Sequence, residues 1–457
     1  MATTAVRTDS LVAAARAAQE QWARHTLAER ARLLREVQRG VLRHADAIAD
    51  AVVSETRKPR TEAIANELYA AADHAQWLGR NVERVLRDER VEFTQLHLKT
   101  KRASVLYEPL GVVGAITPWN VPFAIPFGIV ATAVAAGNGV VLKPSEHAPR
   151  AADWVARVFE EAGAPAGLVQ LAPCDREAGE ALVADPGIAK VFFTGSVAVG
   201  RAVAAAAGAR GCPVVLELGG RDPMIVFADA DVDRTLDGAV FASFLNAGQA
   251  CVSAERIYVE RPLHDEFARR LRERAAGLRR DEEIAPLVLS GEYREATVVD
   301  GPLPDEELFA PTVAIEPFDG EDDVVRKAND TSFGLAASVW TSDLGKAARV
   351  ARRVDAGMVW VNDFGYSFAA GQAPWGGVKA SGFGRTSGKH GLYECVRVKY
   401  VDSDRGRVKP GWWFPYDART ERALRNALDV LYGEGAARLR NAWRYRRDLM
   451  HLMKRAK

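Results

Sequence analysis

This 457-residue sequence predicts an α/β fold built on parallel sheets covered on both faces, and three observations predict it. Short, nearly continuous apolar segments recur along the middle of the chain. Amphipathic or wholly apolar helical stretches separate them. Polar or glycine-bearing turns follow the ends of the apolar segments and carry the most unusual side chains.

Taken in order, residues 9–88 are rich in Ala, Arg, Glu and Leu at helical spacing and read as packed helices. Residues 90–110 turn toward alternation, as in Val105-Leu106-Tyr107. Strands follow at 112–117, 140–143, 168–171, 191–194 and 214–218, with helices between them at 125–136 and 151–162. A second strand–helix series runs from Met224 to about Gly388, with strands at 254–259, 335–341 and 358–361. In residues 393–401, Val396, Val398 and Tyr400 alternate with charges, the pattern of a half-exposed strand. There is no internal repeat and no low-complexity segment.

Composition excludes several classes. Hydrophobic content of 48% and charged content of 26% are those of a globular enzyme with a sizeable core. A net charge of +1 gives no pull toward nucleic acid. The local exception is residues 402–457, with 14 Lys/Arg against 7 Asp/Glu, or +7; the rest of the chain is then near −6 (+1 − 7). Cys174, Cys212, Cys251 and Cys395 are scattered, which reads as reduced thiols in a cytoplasm. Without CxxC or HxxxH spacing, no metal is expected. The first ten residues lack a signal-peptide layout, and the most apolar run, 125–136, is too short to span a membrane.

Cys251 follows Gly248-Gln249-Ala250 and enters a strand, which points to a reactive thiol; the alternative is a buried core cysteine. Thirty-four residues earlier (251 − 217), Glu217 ends an apolar strand beside Gly219-Gly220, where its pKa should be raised. It could activate water, or it could merely pair with a cation. Asn120 follows Pro118-Trp119 at a strand end and on general grounds is a turn former. Ser196, preceded by Gly195 and followed by Gly200, sits near a helix N-terminus that would attract a phosphate. Lys143-Pro144-Ser145-Glu146 reads unaided as a helix-capping turn. No GxGxxG fingerprint opens the fold.

In chain order, Thr117-Pro118-Trp119-Asn120, Lys143-Pro144-Ser145-Glu146, Phe193-Thr194-Gly195-Ser196 with Gly200, the Glu217 and Cys251 stretches, and Pro374-Trp375-Gly376-Gly377 with Lys379, Ser381 and Gly382 resemble the aldehyde dehydrogenase superfamily. The resemblance spans roughly residues 10–402 and implies its domains. These are a Rossmann-like NAD-binding domain (1–88 and 108–219), an α/β catalytic domain (220–390), and a β-arm for oligomerisation (89–107 and 391–402). A basic amphipathic extension (403–457) lies beyond the usual end.

The resemblance also implies roles. Cys251 is the nucleophile, Asn120 the oxyanion donor, and Glu217 the base that hydrolyses a thioester. Glu217 is typically missing from members that pass the acyl group to coenzyme A. NAD is the expected cofactor, held by Thr117, Trp119, Lys143, Ser145, Glu146, Gly195, Ser196, Gly200, Glu307 and Phe309. Glu146, facing the adenosine ribose, would repel a 2′-phosphate and disfavour NADP. Val121, Ala124, Ile125, Gly128 and Trp375 fall on the expected substrate tunnel. Their apolar character, with no Arg among them, favours a neutral, bulky aldehyde, aromatic or medium-to-long aliphatic, over succinate semialdehyde. A homo-oligomer, dimer or tetramer, is expected.

Two departures from the family pattern stand out. Ala310 occupies a position where Gly is usual, which would strain the chain if φ is positive there. The interval from Cys251 to Glu307 is 56 residues (307 − 251). It is roughly forty residues shorter than usual, room for a helix and one or two strands, so the catalytic domain should be trimmed near 285–305. Both departures allow a second reading, a catalytically weak binding or structural member; a third is an acyl-transferring or succinate-semialdehyde enzyme. In the extension, Trp412-Trp413-Phe414-Pro415-Tyr416 precedes two helical stretches. Leu424, Leu428 and Leu431 share one face of the first, and Leu439, Trp443, Met450 and Met453 one face of the second. It either packs on folded protein, its own or a neighbouring subunit's, or lies on an anionic membrane surface.

Overall fold

The computed structural model describes residues 2–95, 98, 100–404 and 409–456, so residues 96, 97 and 99 of the expected arm and 405–408 of the extension lie outside the described residues. The chain divides into two compact units, Met1–Arg87 with Tyr107–Arg397, and Asp88–Leu106 with Val398–Lys457.

Strands β1 (Glu89–Val91) and β2 (Arg102–Pro109) pair antiparallel. Five strands follow that read as continuous apolar runs: β3 (Val112–Ile116), β4 (Gly139–Lys143), β5 (Val169–Leu171), β6 (Ile188–Thr194) and β7 (Val214–Glu217). A second set comprises β8 (Asp222–Val226), β9 (Ala254–Glu260), β10 (Thr297–Asp300), β11 (Thr312–Phe318), β12 (Ala336–Trp340) and β13 (Met358–Val361). The last two are β14 (Gly382–Phe383) and β15 (Val396–Ser403).

The first large sheet has the order β14-β7-β6-β3-β4-β5 and is parallel except for β14 on β7. Alternate residues bury into two cores. Val113 and Ala115 face the helices Leu27–Arg43, Ala70–Leu86 and Ala124–Ala135, whereas Val112, Val191 and Phe193 face the opposite layer. Phe127 and Phe159 are fully buried in the first core, each contributing about 2–3 kcal/mol of burial free energy. The strand order reverses between β3 and β6, so the carboxyl ends of these two strands flank the switch point where α/β sheets bind ligands. Thr117 and Gly195 follow those ends, and Glu217 ends the neighbouring β7.

The second sheet, β10-β11-β9-β8-β12-β13, is parallel throughout. Its edge strand β10 is four residues long and partly exposed, and it lies between Cys251 and Glu307. Short edge strands limit edge-to-edge pairing.

The third sheet has the order β1-β2-β15. In β15, Val396 is buried and Val398 and Tyr400 are exposed. The extension forms helices Ala418–Leu431, Gly435–Arg444 and Arg446–Arg455. Asp417 caps the first, and Arg455 donates to the carbonyls of Gly411 and Trp413 and pairs with Asp417 at 3.0 Å. Ala423 and Ala427 are buried there, whereas Phe414, Leu439, Trp443 and Met453 are exposed. Among the described residues, no helix is long and apolar enough to cross a membrane.

Candidate active site

Cys251 stands between a short 3-10 turn, Leu245–Gly248, and β9. That turn is strained, because Asn246 and Ala247 have φ of 52° and 56°. Several bonds hold it. The Asn246 N–H donates to Glu62 Oε2 at 3.0 Å, and Gln249 Nε2 donates to the Asn246 carbonyl at 2.9 Å. Gln249 Oε1 accepts the Val288 N–H at 2.9 Å, which ties the turn before Cys251 to the segment that follows Pro286. Gln249, part of the motif that marks the thiol, is thus a structural tie.

Burial raises the Cys251 pKa, with Glu307, Asp222 and Glu217 adding to the rise, so the neutral thiol is the resting form. Asn120 is buried at the end of β3, and its Nδ2 donates to the Gln249 carbonyl at 3.1 Å, so the amide lies beside the thiol's turn. Glu217 ends β7 next to Gly382 of β14. It is buried, and neither carboxylate oxygen has a partner at full hydrogen-bond geometry, although the Thr386 hydroxyl still acts on it as a donor. Burial raises its pKa well above the carboxylate range, opposed by Arg385 and Thr386. Gly376, after Trp375, has a φ of 150°, and a Cβ there would lie 2.7 Å from the Gly384 carbonyl oxygen and 2.9 Å from Glu217 Oε1.

The glycines after Glu217 serve a second approach. A Cβ on Gly219 would collide with the Glu307 carboxylate, and one on Gly220 with the Cys251 carbonyl. The Gly220 N–H donates to Glu307 Oε1 at 3.2 Å, and burial raises the Glu307 pKa to about 7. Glu255, also raised to about 7 by burial, accepts the N–H groups of Leu308 and Phe309 and so sets this loop; its position had suggested no role. Phe309 packs edge-on against Trp119, with ring centroids 5.5 Å apart. The expected strain at Ala310 is corrected here. The positive φ, 50°, falls on Phe309, and Ala310 is not among the positive-φ residues.

The remaining predicted cofactor residues gather at the carboxyl ends of β3, β4 and β6. The Thr117 N–H donates to the Lys143 carbonyl at 3.1 Å, and its buried Oγ1 has no partner. Lys143 Nζ lies 3.8 Å from Glu146, whose carboxylate is 61% exposed; Ser145 accepts the His147 N–H. Gly195 follows β6, Ser196 caps the helix Val197–Ala209, and Gly200 is buried in its first turns against Leu218. An unpartnered hydroxyl, an accessible carboxylate and a capped helix N-terminus fit a dinucleotide's ribose and phosphates.

Cys251, Asn120 and Glu217 line one cavity of about 770 Å³, together with Val121, Ile125, Gly128 and Trp375. The wall also includes Tyr69, Phe241, Trp340, Phe364 and Phe368. These aromatics come from distant segments, and no local sequence period marks them. Arg234 also lines the cavity and donates to the Asn362 carbonyl at 2.9 Å.

A sequence model described as the aldehyde dehydrogenase family matches residues 1–295 and 284–401. The chain belongs to the aldehyde dehydrogenase family. The two matches overlap at 284–295, between Cys251 and Glu307, and end before residues 402–457. A putative aldehyde dehydrogenase from Burkholderia cenocepacia superposes with a TM-score of 0.84 at 33% identity, covering 88% of this chain and 93% of that one. An aldehyde dehydrogenase from Brucella melitensis gives 0.83 at 34% identity, covering 88% and 90%. Betaine aldehyde dehydrogenase from Staphylococcus aureus, in complex with NAD+, gives 0.85 at 28% identity, covering 90% of each chain. As an aldehyde dehydrogenase, the chain is an oxidoreductase acting on aldehydes.

Proposed function

We propose that this aldehyde dehydrogenase oxidises a neutral, bulky aldehyde to its carboxylic acid through a thioester on Cys251, with NAD+ as acceptor. The observation that carries the reading is the convergence of Cys251, the Asn120 amide and a buried Glu217 on one aromatic-walled cavity. Cys251 first loses its thiol proton to water; the thiolate then attacks the aldehyde carbon, and the Asn120 amide stabilises the resulting oxyanion, worth about 3 kcal/mol. Bound NAD+ supplies the two-electron acceptor that converts the adduct to a thioester. Glu217 takes a proton from the water that hydrolyses it. That residue disfavours an acyl-transferring enzyme. Arg234 lines the same wall and donates to the Asn362 carbonyl, but Asp237 and Asp363 on that wall oppose the approach of a second carboxylate. A panel of aldehydes followed by NADH absorbance tests the reading; an enzyme that binds NAD+ but oxidises none of them would overturn it.

We place the NAD-binding domain at 1–88 and 108–219, the catalytic domain at 220–390 and the oligomerising arm at 89–107 and 391–402. NAD should be preferred to NADP by at least about tenfold in kcat/KM, or 1.4 kcal/mol, because the Glu146 carboxylate faces the ribose hydroxyls. Glu146→Ser should narrow the ratio. Equal use of both cofactors by the wild type would show that Glu146 plays no part in the choice.

The enzyme is proposed to work in the cytoplasm, where four free thiols stay reduced. Residues 403–457 present Phe414, Leu439, Trp443 and Met453 to solvent in a single chain, a liability unless covered. Their basic charge suits the acidic remainder of a second copy. Truncation after Asp402 should therefore reduce the assembly state in size-exclusion chromatography without lipid. A truncated enzyme that keeps its assembly and loses only liposome binding would instead favour a membrane-surface role.

A further inference from the structure

Lys58 and Glu67 are the most deeply buried ion pair among the described residues, 2% and 0% exposed, with Nζ 2.9 Å from Oε1. Burying two charges is costly, and the cost is offset only where their remaining hydrogen-bonding capacity is satisfied. Here that capacity goes to one short stretch of backbone. Lys58 Nζ donates to the Asn120 carbonyl at 2.7 Å. Glu67 Oε2 accepts the Phe123 N–H at 3.0 Å and the Ala124 N–H at 2.8 Å, where the helix Ala124–Ala135 begins and its first N–H groups need acceptors. The pair thus grips both ends of the turn that carries Asn120. Glu67 lies in a π-helical stretch, Ala63–Tyr69, a distortion common at functional sites. From the preceding turn Glu62 reaches the Asn246 N–H, so the same segment also holds the strained turn before Cys251.

We infer that Lys58 and Glu67 are positioning residues that hold the Asn120 amide in register with Cys251. The inference rests on the dehydrogenase reading. The pair acts through Asn120 and performs no chemistry on the substrate. Misplacing an oriented group by about an ångström costs on the order of 10²-fold in rate.

A double-mutant cycle tests it, using the full-length protein, a neutral aldehyde and NADH absorbance. Lys58→Met should lower kcat by about 10²-fold while leaving the NAD Kd within about twofold. In an Asn120→Ala background the same substitution should cost less than about threefold, because the group it positions is already gone. Glu67→Gln, isosteric and able to keep an oxygen on both N–H groups while losing the acceptor of Lys58, should show a smaller loss with the same dependence on Asn120. Penalties that multiply in the double variants, or single variants with wild-type kcat, would overturn the inference. So would failure of both variants to fold, which would make the pair purely structural. A wild type without turnover refutes the dehydrogenase reading itself; an active wild type with multiplying penalties refutes only the positioning role.

Discussion

Cys251→Ala is expected to lower NAD-dependent aldehyde oxidation by at least about 10³-fold, with NAD binding nearly unchanged. The cavity holds no second thiol, and the turn before Cys251 is pinned by Glu62 and Gln249 through groups that the substitution does not touch. The thiol's raised pKa adds a pH signature. With Cys251 neutral at rest, the rate of the first oxidative turnover should rise with pH as the thiolate becomes populated. Single-turnover measurements across pH check this. Substantial steady turnover in the alanine variant would sink the covalent mechanism.

How far the sequence could be read depended on the range of the interaction. The strands were legible because burial on both faces demands continuous apolar runs, as in Val112–Ile116 and in Val140-Val141-Leu142 of β4. Glu217 and Cys251 were legible because their settings need glycine: Gly376 makes room for the carboxylate, and Gly219 and Gly220 let Glu307 and the Cys251 loop approach. Long-range polar pairing leaves no such trace. Lys58 and Glu67 sit in a helical region of ordinary composition, and their bonds to the Asn120 turn close over more than fifty residues. Gln249 had the right place in a motif but a structural use, closing onto Val288. At Ala310 the condition for strain is not met, because the positive φ belongs to the neighbouring Phe309. Strand β14 was not foreseen, since two residues, Gly382–Phe383, are too few to show a period, yet they supply the pairing partner of Glu217.

Glu217→Gln should separate the two halves of the reaction. The substitution keeps the shape of a fully enclosed side chain and removes the proton acceptor. If Glu217 serves hydrolysis, NADH should appear in a burst close to one equivalent per enzyme, followed by a steady state slower by about 10²- to 10⁴-fold, the usual worth of a general base. The wild type should show a kcat that climbs with pH. Burial raises the folded pKa of Glu217, so the carboxyl stays protonated at pH values where an exposed glutamate is ionised, and the active base form gains population as pH rises through that raised value. The glutamine variant should lose this limb while keeping any limb that belongs to Cys251. Stopped-flow absorbance across pH reads both effects. A variant that turns over like the wild type would remove Glu217 from the role of base. One that loses NAD binding would assign it to the architecture of the site, because its strand end lies beside Gly219 and the Glu307 carboxylate that the cofactor's nicotinamide ribose is proposed to meet.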